Sequence, residues 1–513
     1  MLIEELVATS EKVAQTSSRK AKVEHLGSLL AQLSPDEVRI AVVYLSGELP
    51  HDPIGVGWAG LRALPAPADR PSLEILEVDA AFRRIGAITG PGSQAARRTE
   101  VDLLFGRATK PEQEFLARLL MGELRQGALK GVMTDAIARA AGVPLTAVRR
   151  AAMLSGDLGE VALATVAEGT SGLDAFKLDV LRPLEPMLAQ SAPDMAAALE
   201  RISPAAIEWK LDGVRVQVHR REDEVRIFTR NLADVTDRLP EVVTLTRALP
   251  LRSAVLDGET IALEPDGRPQ SFQVTGSRFA SRLDVATLSE RVPLSFFVFD
   301  VLHLDGEDFI DRSHRARAEA LQRVAPELIV PRMVTGKLGE AERFLEEALT
   351  RGHEGVMVKA LDAPYEAGRR GTGWIKVKRA HTLDLVVLAA EWGHGRRRGK
   401  LSNLHLGARD PDRGEFVMLG KTFKGLTDEM LVWQTDRLQQ LETEHDGITV
   451  YVRPELVVEI AFDGLQVSSR YPAALALRFA RVKGYRLDKR PDEADTVETV
   501  RAIHAGELAP RRR

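Results

Sequence analysis

The segment Glu208-Trp209-Lys210-Leu211-Asp212-Gly213-Val214-Arg215 sets a lysine just beyond an apolar run that reads as a strand, with Asp and Gly turning the chain behind it. A lysine held at a strand end can be desolvated by its neighbours, which lowers its pKa and frees a lone pair for nucleophilic attack. Four matching residues recur by chance, and Lys210 alone reads as an exposed turn lysine. Five further stretches change the weighing: Phe228-Thr229-Arg230-Asn231, Leu256-Asp257-Gly258-Glu259, Phe299-Asp300, Glu354-Gly355-Val356-Met357-Val358-Lys359 and Trp374-Ile375-Lys376-Val377-Lys378. Singly, each has a plain explanation. Lys376 and Lys378 alternate with Ile375 and Val377 as on any strand with one wet face, Phe299 fits a core, and Glu259 and Glu354 fit turn caps. Jointly they supply one candidate nucleophile, several other cations, two glutamates and an aromatic ring, a set that suits a nucleoside triphosphate. The ring can stack on a base, Lys and Arg can hold phosphates, and glutamates can bind a hard divalent cation such as Mg²⁺. Attack by Lys210 on the α-phosphorus would form a phosphoramidate and expel pyrophosphate.

These residues need a scaffold that gathers strand ends. At 513 residues the chain is too long for one ordinary core and suggests about three domains. To about Gly172 the apolar spacing is helical. Val23, Leu26, Leu29, Leu30 and Leu33 recur every three or four residues, and Ser34-Pro35-Asp36-Glu37 marks a helix start. Helical windows continue over Glu112 to Leu124 and Met133 to Ala141, while 160–172, rich in Ala and Gly, reads as a linker or a loosely packed end. The pattern changes near Arg182-Pro183-Leu184-Glu185-Pro186. Val214, Val216 and Val218 alternate with polar residues, Arg220 to Glu224 turn, and Val225 and Ile227 return, which predicts a β-hairpin. With a helix over Gly339 to Thr350, this reads as an α/β or α+β domain whose candidate residues sit at strand ends, where sites usually lie. From about Thr382 short strands recur (Leu383 to Ala390, Phe416 to Leu419, Leu456 to Phe462) with one helix, Asp428 to Glu442. That pattern suggests a small barrel, for which an oligonucleotide-binding (OB) fold is the natural candidate. The expected fold class is multidomain α and α+β, in segments 1–172, 182–380 and 381–513.

Composition narrows the class. Hydrophobic content of 44% and charged content of 28% are those of a soluble globular protein. The absence of cysteine removes disulfides and thiolate metal sites and fits a reducing cytoplasm. No signal-type apolar core opens the chain and no run approaches the roughly 20 apolar residues of a membrane span, so a cytoplasmic protein without a membrane partner is expected. A net charge of −4 argues against a general polyanion binder. Basic clusters nevertheless stand at Arg19-Lys20-x-Lys22, Arg97-Arg98, Arg149-Arg150, Arg396 to Lys400 and Arg511 to Arg513. One by one they read as solvated faces, and together they suit a protein that wraps a phosphate backbone. The loops Thr89 to Gln94 and Gly127 to Gly131 precede helices and either offer backbone N–H groups to phosphates or simply separate helices.

The ordered motifs resemble the covalent nucleotidyltransferase superfamily and, within it, the ATP-dependent DNA ligases. Glu-Trp-Lys-Leu-Asp-Gly-Val-Arg matches the nucleotidyl-lysine motif, and Phe-Thr-Arg-Asn, Asp-Gly-Glu, Phe-Val-Phe-Asp, Glu-Gly-Val-Met-Val-Lys and Trp-Ile-Lys-Val-Lys match later motifs in order. Leu477 to Arg481 with Arg486-Leu487-Asp488-Lys489 resembles the motif on the ligase barrel, although the family more often has proline at Ala480 and a basic residue at Gly484. The helical third, with Gly122-Glu123-Leu124-Arg125-Gln126-Gly127, resembles the DNA-binding domain of archaeal and eukaryotic-type three-domain ligases, and high Ala and Arg usage resembles an actinobacterial accessory ligase B. The likeness spans essentially the whole chain. An RNA-capping enzyme or RNA ligase shares the lysine motif but not such a helical domain, and an NAD-dependent ligase usually carries a four-cysteine zinc module, which this chain cannot build.

The resemblance implies a division of labour. Lys210 takes AMP from ATP, Glu208 flanks the adenine and Phe299 stacks on it. Arg215 and Arg230 hold ribose or phosphate, Arg370 and Lys376 meet the phosphates, and Lys378 assists. Glu259 and Glu354 hold the divalent cation, Mg²⁺ or Mn²⁺, with Glu259 alternatively on the ribose. Arg486, Asp488 and Lys489 close over pyrophosphate. AMP then passes to the 5′-phosphate of nicked double-stranded DNA, encircled by a monomer, and the 3′-hydroxyl displaces it. A hinge near Arg379 to Asp384 would let the barrel serve both steps.

Overall fold

Helices succeed one another from Ile3–Gln15 to Thr170–Asp174 in the computed structural model, which describes residues 1–49, 54–124, 126, 130–280, 285–366, 370–378 and 381–505, with the backbone alone at 58, 59, 280, 370 and 396. The start signal at Ser34 is a capping box: the Ser34 N–H donates to Glu37 Oε2 at 3.0 Å, and Pro35 occupies the first turn of helix Pro35–Leu45. Leu6, Tyr44, Phe82, Phe105 and Phe115 fill the core beneath these helices.

The segment expected to be a linker is instead a packed helix, Leu158–Glu168, with Val161, Ala162 and Thr165 buried. Its small residues permit a close helix–helix approach. A Cβ at Gly159 would lie 3.0 Å from both Arg39 O and Val43 Cγ2. In the loop ahead of helix Ser93–Arg107, the two arginines that follow the glycines bind backbone of this domain. Arg97 donates to Ile88 O, and Arg98 donates to Gly60 O (2.8 Å) and Ala63 O, so both guanidinium groups secure the neighbouring segment. In the second glycine loop, Gly127 to Leu129 lie outside the described residues, and Lys130 pairs with Glu185 at 3.1 Å.

Among the described residues ten strands follow: β1 (Leu188–Ala192), β2 (Ala205–Lys210), β3 (Val214–Arg221), β4 (Glu224–Thr229), β5 (Ser253–Ala262), β6 (Leu294–Leu304), β7 (Glu307–Asp308), β8 (Arg332–Thr335), β9 (Gly355–Ala360) and β10 (Arg370–Lys378). They form two five-stranded sheets, ordered β1-β10-β9-β2-β8 and β4-β3-β5-β6-β7. The expected hairpin is β3–β4, closed where Arg221 pairs with Glu224 and Glu222 takes a φ of 51°.

The C-terminal part is β-rich: β11 (His381–Trp392), β12 (Leu401–Asp410), β13 (Glu415–Thr422), β14 (Glu442–Asp446), β15 (Thr449–Val452), β16 (Val457–Phe462), β17 (Gly464–Val467), β18 (Leu475–Arg478) and β19 (Arg481–Tyr485). β11 is its spine, pairing with β12, β15 and β16 around Leu385, Val387, Leu404, Val458 and Phe462. The expected helix is Asp428–Gln440, and a second, Val497–His504, adds Val497 and Val500 to the same core. Of the expected hinge, His381 to Asp384 is strand, and Arg379 and Ala380 lie outside the described residues. The chain divides into two compact units. One is Met1–Gly267 with Thr275–Phe344 and Val356–Lys376, and the other is Val377–Arg513 with Arg268–Val274 and Leu345–Gly355.

Gly159→Val should lower stability by about 1–3 kcal/mol, because the added atoms meet a backbone oxygen that cannot give way. Urea denaturation against the wild type checks this, and an unchanged midpoint would mean that the helix pair is not tightly packed.

Candidate active site

Lys210 is the last residue of β2, at the point where the chain leaves one sheet for the other. It is half-buried, and its Nζ donates to Leu211 O at 3.3 Å. The turn behind it requires glycine: a Cβ on Gly213 would fall 2.2 Å from Thr260 O and 2.9 Å from Glu259 Cγ. Without that Cβ, β3 starts flush against β5 and Arg215 pairs in register with Glu259. The turn that follows the lysine is thus set directly against Glu259.

Charged groups sew the sheets together below this turn. Arg215 grips Asp257 with two parallel hydrogen bonds, Nε–Oδ1 2.9 Å and Nη2–Oδ2 2.6 Å, and donates to Met187 O at 2.7 Å. Tyr365 donates to Asp257 Oδ2 at 2.6 Å and accepts from the Met187 N–H at 3.0 Å. Burial opposes charge on Arg215, but the Asp257 carboxylate outweighs it and holds the guanidinium pKa above its usual range.

Phe299 on β6 meets Trp374 on β10 edge to face, with centroids 5.9 Å apart. Two cations lie against this ring pair. Arg215 Cζ is 5.3 and 5.5 Å from the Phe299 and Trp374 centroids, and Lys359 Nζ is 4.9 and 4.4 Å away. Lys359 is 1% exposed; it donates to Phe299 O at 3.0 Å and pairs with Glu208 Oε2 at 2.5 Å. Burial pushes its pKa down, against the pull of Glu208 and Asp300. Next to it Asp300 and Arg317, both wholly buried, pair at 2.7 Å. Burial alone would raise the Asp300 carboxyl, but Arg317 and Lys359 hold it well below the usual carboxylate range.

The sequence-derived residues therefore fall into separate roles in the geometry. Lys210, Glu259, Phe299 and Lys376 present half-buried side chains, and Arg230 is exposed just past β4. Glu208, expected beside the adenine, has its carboxylate buried against Lys359, with Arg332 Nε at 3.6 Å and His314 Nε2 at 3.7 Å. Arg215, expected on ribose or phosphate, has its fork on Asp257. Arg370 opens β10, and its side chain lies outside the described residues.

In the second unit, Lys378 Nζ pairs with Glu354 at 2.6 Å. Gly355, at φ +144°, has Val377 O 2.2 Å from where its Cβ would be, which keeps that pair together. On the barrel, Arg486 and Lys489 both reach Asp384, and Arg486 also holds Asp488. Among the described residues, the carboxylates that cluster within 4.8 Å are Asp410, Asp412 and Glu498, not Glu259 or Glu354. Mg²⁺ commonly takes one or two carboxylates plus substrate phosphates, so a ready protein cage is not required for a glutamate to serve it.

Sequence reasoning gave no task to Lys359, Asp257, Tyr365 or Arg317. A signal existed for Lys359: a lysine inside Gly-Val-Met-Val-Lys needs a buried partner. Nothing in local pattern marks Tyr365 or Arg317.

Family models match in three places: an ATP dependent DNA ligase domain at residues 186–378, an ATP dependent DNA ligase C terminal region at 397–489 and a DNA ligase N terminus at 60–138. A probable DNA ligase of Anaeromyxobacter dehalogenans (strain 2CP-C) is 58% identical, covering 99% of this chain and 100% of that protein. The chain belongs to the ATP-dependent DNA ligases. A probable DNA ligase of Mycobacterium marinum, also 58% identical over 98% of this chain and 100% of its own, adds an actinobacterial relative to the ligase's kin. The solved structure Pmar-Lig_PreS3 shares the fold at a TM-score of 0.61 and 19% identity, over 94% of this chain and 99% of its own. The ligase thus has a helical N-terminal domain, an adenylation domain and a β-rich, OB-like C-terminal domain.

Three histidines of the ligase are buried uncharged. Burial, with His303 nearby, pushes His219 down to about 3; burial and Lys359 push His314 to about 3; burial and Arg351 push His353 to about 4. All three fall below the ordinary 6.5, so the unfolded chain takes up these protons first. Their contribution to stability is full above pH 6.5 and declines by up to about 1.4 kcal/mol per pH unit per histidine as pH falls towards the folded values. Urea midpoints measured from pH 7.5 to 5 should drop below pH 6.5. A flat profile would contradict neutral burial.

Proposed function

We propose that this ligase seals nicks in duplex DNA through AMP carried on Lys210, with ATP as donor. The observation that carries this reading is the placement of Lys210 at the sheet crossing, with Gly213 drawing Glu259 against the same turn. Two other motif lysines are less suited to attack. Lys359 is walled in at 1% exposure, and Lys378 is held on Glu354.

Lys210 Nζ, having given its ammonium proton to solvent, forms the N–P bond to the α-phosphorus as the free amine while the bond to pyrophosphate breaks, and a second N–H proton leaves to solvent to give the phosphoramidate. Phe299 offers a ring face to the base, and Glu208 acts through the strand it anchors rather than through its buried carboxylate. Arg230, Arg370, Lys376 and Lys378 meet ribose and phosphates, Arg215 steadies the site through Asp257, and Arg486 and Lys489 receive the pyrophosphate. Glu259 and Glu354 would hold Mg²⁺ or Mn²⁺, which supplies charge neutralisation on the phosphates. AMP then moves to the 5′-phosphate at the nick, and the 3′-hydroxyl displaces it as the strand closes. These are in-line displacements, so positioning and charge account for most of the rate. We further read the enzyme as a cytoplasmic monomer that encircles its DNA in replication, recombination or repair.

Incubation with radiolabelled ATP, GTP or NAD followed by denaturing electrophoresis tests the reading. Label from ATP alone should survive denaturation in the wild type and be absent in Lys210→Ala. An unlabelled wild type would overturn it.

A further inference from the structure

We propose that Asp384 is a positioning residue for the first chemical step, holding Arg486 and Lys489 as one paired cation for the departing pyrophosphate; this rests on the reading that those two residues receive pyrophosphate.

Asp384 is the fourth residue of β11, and its side chain is 6% exposed. Its backbone is fixed on two sides. It pairs in register with Glu459 of β16, its N–H donates to Asp495 Oδ2 at 2.7 Å, and its carbonyl accepts from the Asp495 N–H at 2.8 Å. The carboxylate is therefore a rigid anchor belonging to the barrel itself.

Arg486 and Lys489 leave the end of β19 in a tight turn: the Arg486 N–H donates to Val457 O at 2.8 Å, and the Lys489 N–H to Arg486 O at 3.0 Å. Their side chains turn back onto one atom. Asp384 Oδ2 accepts from Arg486 Nη1 at 3.0 Å and from Lys489 Nζ at 2.6 Å, and Oδ1 lies 3.3 Å from the same Nη1. Asp488 takes the other edge of Arg486, with Nε–Oδ1 2.9 Å and Nη2–Oδ2 2.7 Å. Two like charges converge on one oxygen only because that oxygen is anionic; with Asp384 neutral they repel and splay.

The arrangement still leaves donors to spare. A guanidinium carries five N–H and an ammonium three, so these contacts leave at least one on Arg486 and two on Lys489. A diphosphate presents several adjacent anionic oxygens and matches a pair of cations held side by side better than two mobile ones. Asp384 thus prepays the ordering of both side chains without touching the nucleotide.

Asp384→Asn in the full-length enzyme separates the possibilities, because asparagine keeps the shape and loses the charge. Three rates are measured: lysyl-AMP formation from labelled ATP, pyrophosphate-driven discharge of the lysyl-AMP enzyme, and sealing of a nick whose 5′-phosphate already carries AMP. The first two should fall by about 100-fold, with KM for pyrophosphate raised, while sealing stays within about twofold of the wild type. Equal loss of all three would reduce Asp384 to a structural residue. Unchanged or faster adenylation would make it idle or a competitor of phosphate. Either result overturns the proposal while a labelled wild type leaves the ligase reading standing; an unlabelled wild type would strike at that reading instead.

Discussion

The adenylation domain depends on a seam of buried charge. Arg215 with Asp257, Lys359 with Glu208 and Arg317 with Asp300 pair within it, and Lys359 also crosses from one sheet to the other through the Phe299 carbonyl. Each link joins different stretches of chain: β3 to β5 and the Met187 carbonyl, β9 to β2 and β6, helix His314–Val324 to β6. Such pairs seldom stabilise more than apolar residues of equal volume would, yet removing one partner strands a buried charge at a cost of about 3–5 kcal/mol. Their effect is selective. Slipping either sheet by one residue would bring every cation against apolar side chains, so the seam admits one register. That register sets Phe299 and Trp374 at one depth and leaves Lys210 at the lip where the sheets part.

Much of the site was legible because it is built locally. Lys210, Asp212 and Gly213 describe a strand end and a turn, and the Gly213 vacancy that admits Glu259 follows from residues in two short motifs. The hairpin, the Ser34 cap and the barrel strands rest on the same short-range rules. Long-range pairing was not legible. Tyr365 acts through Asp257, 108 residues away, and Arg317 lies on a helix with no motif signature. Composition misleads at 160–172, where Ala and Gly suggest slackness although small residues are also what close helix packing requires. The last helix, Val497–His504, was missed because two turns with two buried valines carry little periodicity.

Charge clusters were the least transferable signal. Arg97 and Arg98 hold backbone carbonyls, Arg19 and Arg149 both pair with Asp135, and Arg150 pairs with Asp311. Arg396 and Arg511 to Arg513 fall on residues whose side chains are not described. A run of basic residues in sequence reports only that cations are near one another, and arginine forks are as useful for clamping loops as for gripping phosphate. A count of Lys and Arg therefore does not identify which cations of this ligase meet DNA.

The same pairing recurs on the cations proposed to meet phosphates: Lys378 rests on Glu354, and Arg486 with Lys489 on Asp384. A cation held by its own carboxylate is ordered before substrate arrives, so little conformational entropy is lost when phosphate binds, but its attraction for phosphate is moderated by the neighbouring acid. Three successive displacements favour this compromise. Pyrophosphate must leave after the first step, AMP must leave after the last, and the sealed strand must then be released. Bare cations would bind each polyanion more tightly and slow every departure. In a chain of net charge −4, acids placed beside the working cations supply both their order and their restraint.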